Sequence, residues 1–224
     1  MKKNFLTQLP FTLVFLFCFG FVNAQNHPFY SEIQQFKKQD TIHFPPKYAI
    51  LFLGSSSFRK WEDIQKYFPG YTIINRGFGG STIPDAIYYA YEIVFPYKPT
   101  QVVIYEGDND LASSDKINAD SVLNRFEKLF SLIRKKIPNT NIAFVSIKPS
   151  PSRERLMPEM EKANSLIKNF LSHEKNAAFI DVYHAMLNKD GKPDKSIFQE
   201  DELHMNAKGY AIWQKIIQPY LLKK

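Results

Sequence analysis

The chain has a single cysteine in 224 residues, Cys18, and it sits in an N-terminal stretch that reads as a removable leader. Once the leader is gone no thiol remains, so disulfides are excluded and stability must come from a buried core. There is also only one long apolar run. Lys2 and Lys3 precede it, Phe11 to Val22 forms it with Thr12 and Gly20 as its only interruptions, and Val22-Asn23-Ala24 closes it. This pattern predicts a signal peptide over residues 1–24, cleaved after Ala24, and a mature domain over 25–224. About a dozen apolar residues are few for a membrane-spanning helix, although an uncleaved anchor is the alternative. Phe17 stands before Cys18, where lipoprotein processing needs a small residue. The expected location is therefore the periplasm or the exterior, with no stable membrane anchoring after cleavage.

Internal repeats, low-complexity tracts and dividing linkers are lacking as well, which leaves one domain large enough to bury a core. The formal charge is +7, or +5 without the two leader lysines, and it is spread along the chain. Its densest cluster, Arg134-Lys135-Lys136, closes a predicted helix, where cations complement the helix dipole. Nothing in this distribution argues for a nucleic-acid partner.

What is present is an alternation of strands and helices. Tyr48–Leu53, Tyr71–Ile74, Gln101–Tyr105, Asn141–Ile147 and Ala178–Val182 are short runs of continuous apolar character, as strands covered on both faces require. Between them lie helical stripes: Ala119, Val122, Leu123, Phe126, Leu129, Phe130 and Ile133, then Leu156, Met160, Ala163, Ile167 and Phe170. A last stripe of Tyr210, Trp213, Ile217 and Tyr220 follows Asn206, a candidate N-cap. The expectation is an α/β fold, a three-layer α/β/α sandwich around a central, mostly parallel five-stranded sheet. In such sheets functional groups gather at the C-terminal strand ends.

Polar or glycine-rich elements occupy those ends. Gly54-Ser55-Ser56-Ser57 leaves the first strand, Gly77-Phe78-Gly79-Gly80 the second and Gly107-Asp108-Asn109-Asp110 the third. Each alone reads first as a tight turn using glycine's conformational freedom; together with Asp201 and His204 they read as one site. Near the C-terminus Asp201-Glu202-Leu203-His204 places a carboxylate three residues before an imidazole, so both side chains can meet. Serine, aspartate and histidine together are the minimum set for acyl transfer through a serine ester. Arg76 reads as a salt-bridge partner or as a contact for an anionic group, and Trp61 as packing. Lys148–Arg153 reads as a specificity loop or a plain connection. His27, His43, His173 and His184 read as lacking a comparably placed acid, and Asp181 as a weaker triad candidate than Asp201.

These four blocks, in this order, resemble the SGNH hydrolases, also called the GDSL esterase/lipase family, over nearly all of the mature chain. The resemblance implies Ser56 as nucleophile, two residues beyond the strand-ending glycine, although Ser55 and Ser57 compete with it. It implies Gly80 as the glycine whose N–H binds the oxyanion, Asn109 as the side-chain donor, and Asp201 and His204 as the remaining triad members. The Ser56 N–H would complete the oxyanion hole. One departure stands out: Ser55 occupies the place of the family's usual aspartate. No metal or organic cofactor is implied. The expected function is an exported serine esterase acting on a small-molecule or glycan ester, such as acetyl groups on carbohydrate. The alternatives are an O-acyltransferase acting on glycans and an inactive glycan-binding module.

Overall fold

Five parallel strands form one sheet in the computed structural model, which describes residues 27–223; the leader and Cys18 lie outside the described residues. The strands are β1 (Ile50–Gly54), β2 (Ile73–Gly77), β3 (Gln101–Tyr105), β4 (Asn141–Val145) and β5 (Ala177–Ile180), in the order β2-β1-β3-β4-β5. All four pairings are parallel, with β1 matched to β2 from Ile50–Ile73 to Gly54–Gly77. The helices are α1 (Tyr30–Ile42), α2 (Ser56–Arg59), α3 (Ile64–Tyr67), α4 (Ile83–Ile93), α5 (Asp108–Ser113), α6 (Ala119–Lys136), α7 (Met157–Ser172) and α8 (Ala207–Ile217).

Successive strand residues point to opposite faces, and both faces are covered. Leu51, Leu53, Val102, Ile104, Ile142 and Phe144 pack with residues of α1, α4, α6 and α7. Ile50, Phe52, Val103, Tyr105, Ala143 and Val145 pack with Phe58 of α2, Ile64 of α3, and Trp213 and Ile217 of α8. Continuous apolar strands and striped helices thus give the three layers the sequence implies. Each fully buried Leu, Val or Phe contributes about 1.5–3 kcal/mol by leaving water. Trp61 joins this packing, stacked on Tyr210 at 4.8 Å between ring centres.

Local signals explain the helix ends. Asn206 caps α8 by accepting from the N–H groups of Lys208 and Gly209, as its position suggests. Asn118 caps α6 through the Ser121 N–H, and Arg134 at its other end donates to the carbonyls of Pro138, Thr140 and Lys175. The cationic cluster is therefore helix-terminal chemistry.

Several boundaries differ from the sequence reading. Tyr48 is exposed at φ +63, before β1 begins. β2 starts later and runs through Asn75 and Arg76, because parallel pairing with β1 continues to Gly54. Arg76 is consequently buried within the sheet edge, 2.6 Å from Asp40, with its guanidinium over the Phe36 and Tyr97 rings. The salt-bridge alternative is the one the structure adopts. Ile147 and Val182 lie beyond the ends of β4 and β5, and Tyr220 lies in a short 3-10 turn after α8.

Candidate active site

β1 and β3 approach so closely at Gly54 that a Cβ there would stand 2.4 Å from the Tyr105 carbonyl oxygen. The chain leaves this point through Ser55 directly into α2, whose first residue is Ser56. Ser55 and Ser57 are buried and Ser56 is half-buried. The Ser57 carbonyl accepts from the Tyr210 hydroxyl, which ties this turn to α8. Of the three serines, Ser56 is the one whose Oγ meets His204, at 2.9 Å from Nε2.

The Asp201–His204 turn explains how the imidazole arrives there. One Asp201 oxygen accepts the backbone N–H groups of Leu203 and His204, at 3.0 and 2.9 Å, and so fixes the turn. The other oxygen lies 2.5 Å from His204 Nδ1. Glu202, between them, adopts the left-handed conformation at φ +52, with its N–H donating to the Gln199 carbonyl. A carboxylate can only accept, so Nδ1 carries the hydrogen and Nε2 accepts from the Ser56 hydroxyl. Burial pushes the Asp201 carboxyl up. The hydrogen bonds from the His204 ring and the His204 and Leu203 N–H groups outweigh it and hold the carboxyl below its ordinary value. Asp201 is therefore ionised at neutral pH.

The loop after β2 is built around Gly79, at φ +38, where a Cβ would stand 2.2 Å from the Phe29 ring. The Gly79 N–H donates to Glu32, which also pairs with Arg59 at 2.9 Å. Helix α1 thereby joins this loop to α2. The next residue, Gly80, is exposed, and a Cβ on it would lie 3.7 Å from Asn109 Nδ2. Asn109 stands in the first turn of α5, entered through Gly107 at φ +103. Its amide donates one hydrogen to the Ser81 carbonyl at 2.9 Å, and a second remains. Among the described residues, the N–H groups of Ser56 and Gly80 donate to no protein acceptor. All five residues singled out from the sequence thus gather at the ends of β1, β2 and β3. A hydroxyl, a base and a carboxylate stand in line beside uncommitted N–H donors, an arrangement suited to acyl transfer.

Beneath the donors lies a buried carboxyl the sequence did not reveal. Glu106 is fully buried; one oxygen accepts from the Ser81 hydroxyl at 2.7 Å and the other has no partner among the described residues. Burial and then the nearby Asp110 charge push it well above its ordinary value of 4.5. A carboxyl raised on folding contributes stability that is complete below its unfolded value and lost as pH rises through its folded one. Glu106→Gln, a neutral replacement, removes that dependence. Melting temperatures from about pH 4 to about pH 8 should show the wild type losing stability relative to Glu106→Gln as pH rises. Parallel curves would show that Glu106 does not titrate in this way.

Two other residues correct the sequence reading. His184 does have an acid: Asp181 lies 2.8 Å from its Nδ1. β5 ends at Ile180, which frees Asp181 to fold back on His184 and on the Tyr183 N–H. The repeated spacing in Asp181-Val182-Tyr183-His184 was the available signal. This His is largely exposed, and among the described residues no serine hydroxyl bonds to it. His27 lies 3.9 Å from Asp85, a longer pairing.

The profile of the GDSL-like Lipase/Acylhydrolase family matches residues 37–212. The chain belongs to that family. No curated protein matches it in sequence. Among solved structures, a Streptococcus pneumonia protein named provisionally as a platelet activating factor has a TM-score of 0.74 at 21% identity, covering 86% of this chain and 92% of that one. A GDSL-like lipase from Bacteroides thetaiotaomicron has a TM-score of 0.70 at 20% identity, covering 85% and 97%. A mutant of an acetyl-xylooligosaccharide esterase from Geobacillus stearothermophilus has a TM-score of 0.62 at 18% identity, covering 78% and 94%. At these identities the likeness is one of fold, and it places this acylhydrolase-family chain on the same parallel five-stranded scaffold.

Proposed function

We propose that the protein is an exported serine esterase that hydrolyses small O-acyl esters, with acetyl groups on carbohydrate as the preferred class. The observation that carries this reading is the continuous line from Asp201 through His204 to Ser56, with separations of 2.5 and 2.9 Å. His204 takes the Ser56 proton as Oγ attacks the ester carbonyl, and Asp201 stabilises the imidazolium that forms. The Ser56 and Gly80 N–H groups and the Asn109 amide receive the oxyanion. His204 then returns the proton to the leaving alcohol, and water releases the acyl group by the same route.

The export element rests on the leader read in residues 1–24, and the carbohydrate element on the exported location. The name of the Geobacillus relative, an acetyl-xylooligosaccharide esterase, agrees with that substrate class. The direct experiment compares acetylated sugars with short p-nitrophenyl esters on the cleaved protein, alongside fluorophosphonate labelling. Absence of both turnover and labelling would leave the binding-module alternative in possession of the site.

A third measurement concerns the donors. Asn109→Ala should lower kcat by about 10²–10³-fold with little change in KM, because the amide acts chiefly on the transition state. A loss carried wholly by KM would make Asn109 a substrate-binding group instead.

A further inference from the structure

The Asn109 amide can serve an oxyanion only in one of its two orientations. With Nδ2 outward it offers a hydrogen; flipped by half a turn it offers a lone pair, which repels developing negative charge. Among the described residues, no other group of α5 hydrogen-bonds the amide, so contacts from outside the helix set this choice. The Ser81 carbonyl accepts from Nδ2 on one side. On the other, Arg153 Nη2 donates to Asn109 Oδ1 at 2.9 Å.

Arg153 is itself held. Its Nη1 donates to Asp108 Oδ1 at 2.5 Å, while the opposite oxygen of Asp108 faces Lys148 Nζ at 3.2 Å and the Tyr105 hydroxyl at 3.3 Å. Asp108 and Lys148 are almost wholly buried and Arg153 largely so. Arg153 belongs to the 3-10 turn Pro151–Leu156 that follows β4, far from Asn109 in sequence. The residue before it, Ser152, donates through both its N–H and its hydroxyl to the Glu202 carbonyl, at 3.1 and 3.0 Å. One short segment therefore grips the oxyanion donor with one residue and the Asp201–His204 turn with the next.

We infer that Arg153 is a positioning residue that locks the Asn109 amide in its donor-outward orientation, and that Ser152 keeps this lock in register with the triad turn. The inference rests on the esterase reading of the site. The planar guanidinium has two parallel donors spaced to reach Asp108 and Asn109 at once, and a lysine ammonium does not reproduce that fork. Arg153→Lys thus keeps the charge beside Asp108 and loses the fork, which separates orientation from electrostatics and from folding.

The experiment combines kinetics with an NMR measurement on the full mature chain. On p-nitrophenyl acetate, Arg153→Lys should lower kcat by about 10–100-fold with KM within about twofold, a fraction of what losing the donor itself costs. In an Asn109→Ala background the same change should add almost nothing, because Arg153 acts through Asn109. In ¹⁵N spectra the Asn109 side-chain NH₂ pair should shift and broaden in Arg153→Lys while backbone resonances distant from the site stay in place. Wild-type kcat in Arg153→Lys, or a full multiplicative loss on top of Asn109→Ala, overturns the inference. If the wild type turns over no ester, the esterase reading fails, and the NMR comparison alone decides whether Arg153 holds the amide: an unchanged NH₂ pair means it does not.

Discussion

Ser56→Ala should lower turnover by about 10⁶-fold and abolish fluorophosphonate labelling, leaving only the modest acceleration that donors and binding supply without a nucleophile. Ser55→Ala and Ser57→Ala should retain most of both activities. The contrast follows from the turn after β1. Gly54 lets β1 and β3 close together, the chain enters α2 at once, and of three consecutive serines only Ser56 lies within hydrogen-bond reach of His204. Its neighbours are buried, and the Ser57 backbone is occupied by Tyr210. The Ser56→Ala variant loses one half-buried hydroxyl and should fold normally, so a silent but folded protein is the expected pairing. A mass-spectrometric adduct on Ser55 or Ser57 would show that the serine has been misassigned.

The parts of this architecture that were legible in the sequence are those set by local pattern. Continuous apolar strands announced a doubly covered parallel sheet, and the aromatic stripe of α8 announced a buried helix face behind the Asn206 cap. Asp201 and His204 were legible for the same reason: three residues of spacing bring both side chains together within one turn. Strand ends were less so, because the length of β2 depends on pairing with β1 and not on its own residues.

The polar residues that hold the site were hidden for a different reason. Arg153 reaches Asn109 across 44 positions and Glu32 reaches Gly79 across 47, and neither pair carries a periodic signal. Asp108 and Lys148 read only as members of the block after β3 and of the segment after β4, yet both are buried because each satisfies the other. Burial of such charges is tolerable only when their partners are in place. The sequence lists the partners without saying which ones meet. Three separate parts of the chain, α1, the loop after β2 and the turn after β4, therefore act on the site through contacts that only the tertiary fold creates.

The last expectation concerns Asp201, and here charge and tautomer can be separated from folding. Asp201→Asn should lower kcat by about 10⁴-fold, the size of loss this exchange causes in a Ser-His-Asp triad. The side-chain oxygen of Asn can still accept from the Leu203 and His204 N–H groups, so the turn should persist and the melting temperature should change little. The amide nitrogen, however, would face His204 Nδ1. That ring nitrogen must then accept, the hydrogen moves to Nε2, and a donor is aimed at the Ser56 hydroxyl that needs a base. In the wild type Asp201 is held below its ordinary value, so its contribution is complete above the usual carboxylate range and is lost only as pH falls through the folded value. From about pH 5 to about pH 9 the acid thus remains ionised, and its support of the imidazole is undiminished over that range. Measuring kcat/KM over that range, with and without a chelator, on wild type and Asp201→Asn tests the proposal. A fully active Asp201→Asn enzyme, or a wild type silenced by the chelator, would sink the triad; a slow but well-folded variant with chelator-insensitive wild-type activity is the outcome the geometry calls for.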